Sequence, residues 1–183
     1  MTRDEVLSHA WGFGAGGMIP EELAYLYDTC AGLDVLELGS MVGQSSYVLG
    51  SVARSLTCVD IWIDGCPFLE WRQAREYRVE RMEAVFDANM RGLKFEKIKS
   101  FTNAAYSQLR GRRFDVILID ADHSAIGAAR DIHRYRRLVR RGGLLMLHDY
   151  RSRAWRGVRR AARVVLKRRK PDKIIGALGV FKL

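Results

Sequence analysis

The chain has 183 residues, of which 48% are hydrophobic and 28% charged, a balance that excludes disordered and collagen-like polymers and leads us to expect one domain over residues 1–183. Its formal charge of +10 brings anionic partners into consideration. No apolar run approaches the length of a membrane span, and the start, MTRDEVLSHAW, lacks the apolar centre of a signal peptide, so no membrane role and a cytoplasmic location are expected.

The hydrophobic period alternates between strand-like runs and helix-like spacing, which predicts a βα repetition and a mostly parallel sheet. Ala10 to Met18 combine two aromatics with four glycines, and residues 1–19 are read as an N-terminal lid over the site. Pro20 opens a helix with Leu23, Leu26, Tyr27 and Cys30 on one face. Val35 to Leu38 form a first strand, Ser45 to Ala53 a helix, and Leu56 to Val59 a second strand that stops at Asp60. A helix is expected from about Glu70 to Met90, capped by Gly92, followed by a strand over Phe95 to Ile98. Ala104 to Leu109 form a short helix, and Phe114 to Ile119 the clearest buried strand, ending at Asp120. Ile126 to Leu138 read as a helix broken by Gly142-Gly143, with Leu144 to Leu147 as the next strand. Trp155, Val158, Ala162 and Val165 mark a last helix, and Ile174-Ile175 with Leu178 to Leu183 a pair of short strands at the sheet edge. Cys30, Cys58 and Cys66 have neither zinc-knuckle nor CxxC spacing and read as reduced packing side chains.

Ligands of open α/β sheets bind at the carboxyl ends of the strands. The strand ends here deliver Glu37-Leu38-Gly39, Asp60, Asp120 and His148-Asp149. A single acid after a strand is commonly a helix cap, but four acids on one edge point to a site. The small residues of Glu37-Leu38-Gly39-Ser40-Met41-Val42-Gly43 let the backbone approach a ligand before a helix N-terminus. Asp60 follows Gly39 by 21 residues, near the spacing at which an acid takes ribose hydroxyls. The full GxGxxG that cradles a pyrophosphate is absent, so a nucleoside cofactor without phosphates fits better and a nicotinamide dehydrogenase is disfavoured.

VLELGSMVGQSS at 35–46, CVDIW at 58–62, FDVILIDADHS at 114–124 and GGLLMLHDY at 142–150 together resemble the class I S-adenosylmethionine-dependent methyltransferases, and the pair IDADHS and HDY resembles the branch of small O-methyltransferases and cephalosporin hydroxylase-like proteins. The resemblance implies a doubly wound Rossmann-like α-β-α sandwich with an antiparallel C-terminal edge strand and S-adenosyl-L-methionine as cofactor. It implies that Glu37, Gly39, Ser40, Gly43 and Ser45 surround the methionine part, that Asp60 holds the ribose and Ile61 the adenine, with Ser100 and Phe101 nearby, and that Asp120 meets the cofactor's amino end, a metal, or both. Phe101 stands where relatives often carry an acid.

Transfer to a hydroxyl requires removal of its proton, by a general base or by a divalent metal ion. His123, three residues beyond Asp120, is the leading base, against a purely structural loop histidine. The resemblance implies a metal set of Asp120, His148 and Asp149, in which the imidazole weakens the case for magnesium and leaves manganese, iron or no metal at all. Asp64 to Trp71 are read as lining the acceptor pocket, and His9 and His133 as surface or core-edge residues. The expected activity is O-methylation of a small-molecule acceptor. Residues 130–170 hold sixteen Lys or Arg against Asp131 and Asp149, which keeps an RNA or polyanion methyltransferase as an alternative, beside a non-catalytic nucleotide-binding module. An exposed sheet edge makes a homodimer reasonable.

Overall fold

The computed structural model describes residues 1–13, 17–63 and 81–183. Among these, seven strands form one sheet: β1 (Asp34–Leu38), β2 (Ser55–Asp60), β3 (Glu96–Lys99), β4 (Phe114–Ile119), β5 (Val139–Leu147), β6 (Lys173–Ile175) and β7 (Leu178–Lys182). Their order is β3-β2-β1-β4-β5-β7-β6. Strands β1 to β5 pair in parallel, and β7 inserts antiparallel between β5 and β6. The two C-terminal strands therefore form a hairpin at the edge, as the glycine-separated apolar runs indicated.

Central parallel strands are covered on both faces, which is why β4, Asp115 near its start apart, is apolar without alternation. Val116 and Leu118 face a cluster with Leu23, Leu26, Val48, Leu49, Phe86 and Met90, from α2 (Pro20–Cys30), α3 (Gln44–Val52) and the end of α4 (Met82–Asn89). Ile117 and Ile119 face Leu109, Ile132, Tyr135, Val158 and Ala162, from α5 (Thr102–Leu109), α6 (Ala125–Tyr135) and α7 (Arg156–Val165). The result is the α-β-α sandwich expected from the sequence. Cys30 and Cys58 are buried and unpaired in disulfides; Cys66 lies outside the described residues. No helix among the described residues is long and apolar enough to cross a membrane.

Four boundaries depart from the sequence reading. Residues Arg3–Trp11 form a helix, α1, that packs through Val6 and Ala10. Its start is a capping box in which Thr2 Oγ1 accepts from the Glu5 N–H and Glu5 returns the bond to Thr2 N–H. The helix expected from Glu70 is described only as Met82–Asn89, and residues 64–80, including the supposed acceptor-pocket segment, lie outside the described residues. Its last cap is Met90, whose N–H bonds to the Phe86 carbonyl, while Gly92 takes the left-handed turn two residues later. Finally, α6 ends at Tyr135, and a single 3-10 turn over Arg136–Leu138 leads directly into β5. Gly142-Gly143 lie inside that strand rather than between elements, where the register shifts against β4. A side chain at Gly143 would meet the Asp115 carbonyl oxygen at 2.6 Å, so glycine lets the irregular strand stay close to its neighbour.

Candidate active site

Register alone assembles the site. Leu38 is opposite both Val59 and Ile119, and Ile119 is opposite Leu147. The next residues, Gly39, Asp60, Asp120 and His148, therefore emerge side by side at the carboxyl ends of four neighbouring strands. Backbone bonds fix the row: Gly39 N–H to the Val59 carbonyl at 2.8 Å, Asp120 N–H to Leu38 at 2.8 Å, His148 N–H to Ile119 at 3.1 Å and Ser100 N–H to Asp60 at 2.8 Å.

At the end of β1 the chain turns through Gly39 with φ +88°, and a Cβ there would lie 1.9 Å from the Asp120 carbonyl oxygen. Glycine is thus required both for the backbone conformation and for the contact with β4. Gly43, with φ +91°, caps the N-terminus of α3. Glu37 is fully buried and accepts hydrogen bonds from the Ser40, Ser45 and Ser46 hydroxyls. Burial raises its pKa, and the three hydroxyls act against that rise. Glu37 thus holds the turn from beneath. Asp60 accepts from the Met41 N–H and the Trp62 N–H, each at 2.8 Å and each on a different carboxylate oxygen. One further acceptor direction remains on each oxygen. Ile61 is half-buried beside it, and Phe101, at the N-terminus of α5, is 61% exposed.

The other half of the site is a four-residue knot. Asp120 Oδ1 is 3.1 Å from His123 Nε2 and 3.2 Å from His148 Nδ1, while Asp149 Oδ2 is 3.0 Å from His123 Nε2 and 3.6 Å from His148 Nδ1. These four donor atoms lie within 4.8 Å of one another. His148 is only 4% exposed, and its Nδ1 has no hydrogen-bond partner of good geometry. Its Nε2 contacts Glu22 Oε2 at 3.3 Å, and Glu22 is itself fixed by the backbone N–H groups of Ile19, Ala177 and Leu178. The His123 ring stacks on Trp155, with centroids 4.8 Å apart. Burial opposes the charge on His123, but the carboxylates of Asp120 and Asp149 outweigh it and raise the pKa to about 9. The same competition, with Asp120, Glu22 and Asp149 as partners, raises His148 to about 11. Asp120 is held low: burial opposes its ionisation, and the two imidazoles overcome that.

The two ends of the sheet differ in how they handle acid. At the amino ends, Asp34 and Asp115 are neutralised by Arg54 and Arg140 at 2.7 to 3.2 Å. At the carboxyl ends, no Lys or Arg among the described residues makes an ion pair with Glu37, Asp60, Asp120 or Asp149. Here Asp120 and Asp149 are balanced by the imidazoles of His123 and His148, Glu37 by serine hydroxyls, and Asp60 accepts from backbone N–H groups.

The structure thus brings Glu37, Gly39, Ser40, Gly43, Ser45, Asp60, Ile61, Ser100, Phe101, Asp120, His123, His148 and Asp149 to one edge. His9 and His133 lie elsewhere; His9 is exposed but its ring meets Phe13 and Tyr47. Sequence reasoning missed Glu22, which looked like an ordinary first-turn acid, Ser46, which bonds back to Glu37 nine residues earlier, and Trp155, whose partner His123 is distant in the chain. The supposed N-terminal lid contains α1, and Gly17 lies against His148, where a Cβ would be 3.6 Å from Cε1. Residues 14–16 lie outside the described residues.

Residues 36–150 match the family model described as a methyltransferase domain. No curated protein matches the chain. Among solved structures, an O-methyltransferase from Bacillus cereus in complex with SAH superposes with a TM-score of 0.64 at 15% identity, covering 90% of this chain and 78% of that one. An SAH-bound methyltransferase from Podospora anserina gives 0.68 at 12% identity, covering 100% and 89%. The N-methyltransferase NodS from Bradyrhizobium japonicum gives 0.53 at 15% identity, covering 88% and 92%. At these identities the likeness shows the fold, which is shared by proteins named for different acceptor atoms.

Proposed function

The chain belongs to the methyltransferase-domain family, of class I and S-adenosylmethionine-dependent, and from that premise we propose that it methylates the oxygen of a small hydroxylated acceptor. The observation that supports this reading is the knot of Asp120, His123, His148 and Asp149 beside the Gly39 turn, which gathers proton-handling groups at the carboxyl ends of β4 and β5.

The residues fit the donor. The Gly39 turn leaves no Cβ between β1 and β4, and among the described residues Asp60 accepts from backbone N–H groups and makes no ion pair with a cationic side chain. When bound, S-adenosylmethionine supplies an electrophilic methyl carbon on a sulfonium. Asp60 would hold the ribose hydroxyls with its two remaining acceptor directions, Ile61 and Phe101 the adenine, and Asp120 the amino end. Glu37 keeps Ser40, Ser45 and Ser46 in place. The carboxylates stabilise a positive charge that is lost on transfer, so their principal contribution is binding and orientation of the reacting atoms. The chain's own part would be to hold the acceptor oxygen in line with the methyl carbon and to give the hydroxyl proton a place to go.

The same knot fits a divalent cation. Its donors are two carboxylates and two imidazoles, with a buried, unbonded Nδ1 on His148 and with Glu22 at the far nitrogen, as outer carboxylates commonly orient ligating imidazoles. Such an ion would be held by Asp120, His123, His148 and Asp149, and its chemistry would be to lower the pKa of a bound hydroxyl. Without it, proton acceptance falls to His123 Nε2, which the neighbouring carboxylates keep protonated up to about pH 9. In either case Trp155 covers one face of the His123 ring and shields it from water.

The test is incubation of the full chain with methyl-labelled S-adenosylmethionine and a panel of sugars, phenols and hydroxylated polyketides. We expect label on oxygen in at least one class. Label on nitrogen or on RNA, or cofactor binding with no turnover across the panel, would overturn the reading.

A further inference from the structure

Helix α7 carries a charged face that methyl transfer does not use. Arg156, Arg159, Arg160 and Arg163 are exposed, and Lys167 and Arg168 continue beyond the helix. Spacings of three and four residues place Arg156, Arg160 and Arg163 on one side of α7, a stripe about 10 Å long at the helical rise, with Lys167 and Arg168 in the turn that follows. Arg160, Arg163, Lys167 and Arg168, with Val164, line an open groove. Among the described residues none of the six cations has a carboxylate within ion-pair distance. The nearby Asp172 is occupied by Arg169 at 3.0 Å and by the Lys182 N–H at 2.9 Å. Like charges three and four apart destabilise a helix, and no acid on α7 relieves them.

We propose that α7 and the turn after it bind the phosphodiester backbone of a nucleic acid. Five of the six cations are arginines, whose planar guanidinium forks match phosphate oxygens two at a time. The stripe matches about three nucleotides at the 3.4 Å rise of one strand. A lipid surface is the poorer partner, because an interfacial helix needs a free apolar side. Here Val158, Ala161 and Ala162 are buried in the core that α7 shares with α6, and Val164, 77% exposed, is the large apolar residue left in the groove. Trp155, just before the helix, stacks on His123, so the stripe begins at the edge of the catalytic knot and runs away from it. This surface goes beyond the acceptor reading and does not depend on it.

The experiment is fluorescence anisotropy of the full chain with a short labelled RNA strand, the same DNA strand and a DNA duplex, over a salt series. It compares the wild type with R160E/R163E and with R110E/R113E, an equal charge change at exposed residues before β4. We expect R160E/R163E to weaken binding at least about tenfold at moderate salt and to lower the log–log salt slope by about 1.4 for a single strand, with the control pair within about twofold of the wild type. If circular dichroism shows R160E/R163E unfolded, R160Q/R163Q replaces it with the same ordering expected. Equal weakening by both pairs would reduce the effect to net charge, and tighter binding to anionic phosphatidylserine vesicles than to every nucleic acid would make the partner a membrane. Either result overturns the proposal.

Discussion

Replacing Gly39 by alanine probes the junction on which the site depends. The new Cβ would stand 1.9 Å from the Asp120 carbonyl oxygen, 2.6 Å from its carbon and 3.0 Å from the Ala121 Cα, so β1 and β4 must separate by more than about 1 Å at their carboxyl ends to restore ordinary contact. That displacement strains two 2.8 Å hydrogen bonds, from Gly39 N–H to Val59 and from Asp120 N–H to Leu38. Their net worth is about 1 kcal/mol each, and alanine at φ +88° adds about 1–2 kcal/mol. The sum, about 3–4 kcal/mol, corresponds to a fall in Tm of roughly 10 °C for a chain of this size. Because the same movement shifts Asp60 and Asp120 relative to each other, affinity for S-adenosylhomocysteine should fall with it. Differential scanning fluorimetry and calorimetric titration measure both. A Gly39→Ala protein with an unchanged Tm and unchanged affinity would refute the reasoning.

Other expectations follow from buried charge. Asp131 is 1% exposed; burial raises its pKa to about 6, against the Thr102 hydroxyl bond that lowers it, and its Oδ2 has no partner. The fold favours the protonated form, so its contribution is complete below about pH 4 and is lost as pH rises through about 6. The loss is up to about 3 kcal/mol, and urea melts of Asp131→Asn should lack that slope. For the knot, chelation should stop turnover and manganese should restore it better than magnesium, since two of the four donors are imidazoles. Turnover that survives both chelation and Asp149→Asn would assign the proton to His123, in which case the rate should climb toward about pH 9.

The parts of the fold legible in sequence were those with an unambiguous local signal. Phe114 to Ile119 read as a buried central strand because every position but Asp115 is covered on one face or the other. The acids at the strand ends followed from the rule that βα loops carry ligands. What was missed rests on distant partners: Glu22 reaches His148 across 126 positions in the chain, and no spacing announces that. The helix over Arg3–Trp11 was readable, since Thr2 and Glu5 spell a capping box, but with only Val6 and Ala10 buried its apolar stripe is too thin to stand out from the glycines that follow. Gly142-Gly143 misled for a physical reason: a pair that usually breaks an element here allows an irregular strand to approach Asp115.

The claim on which the site stands is that the acids at the carboxyl ends of β1, β2, β4 and β5 hold an adenosyl ligand. Calorimetric titration of S-adenosylhomocysteine into the wild type and into Asp60→Asn tests it, because the amide keeps the size of the carboxylate but gives up its charge-assisted bonds to the ribose. The account predicts saturable binding to the wild type and a loss of about 1.5–3 kcal/mol in the variant, roughly ten- to a hundredfold in Kd. Equal affinity in the two proteins would contradict it.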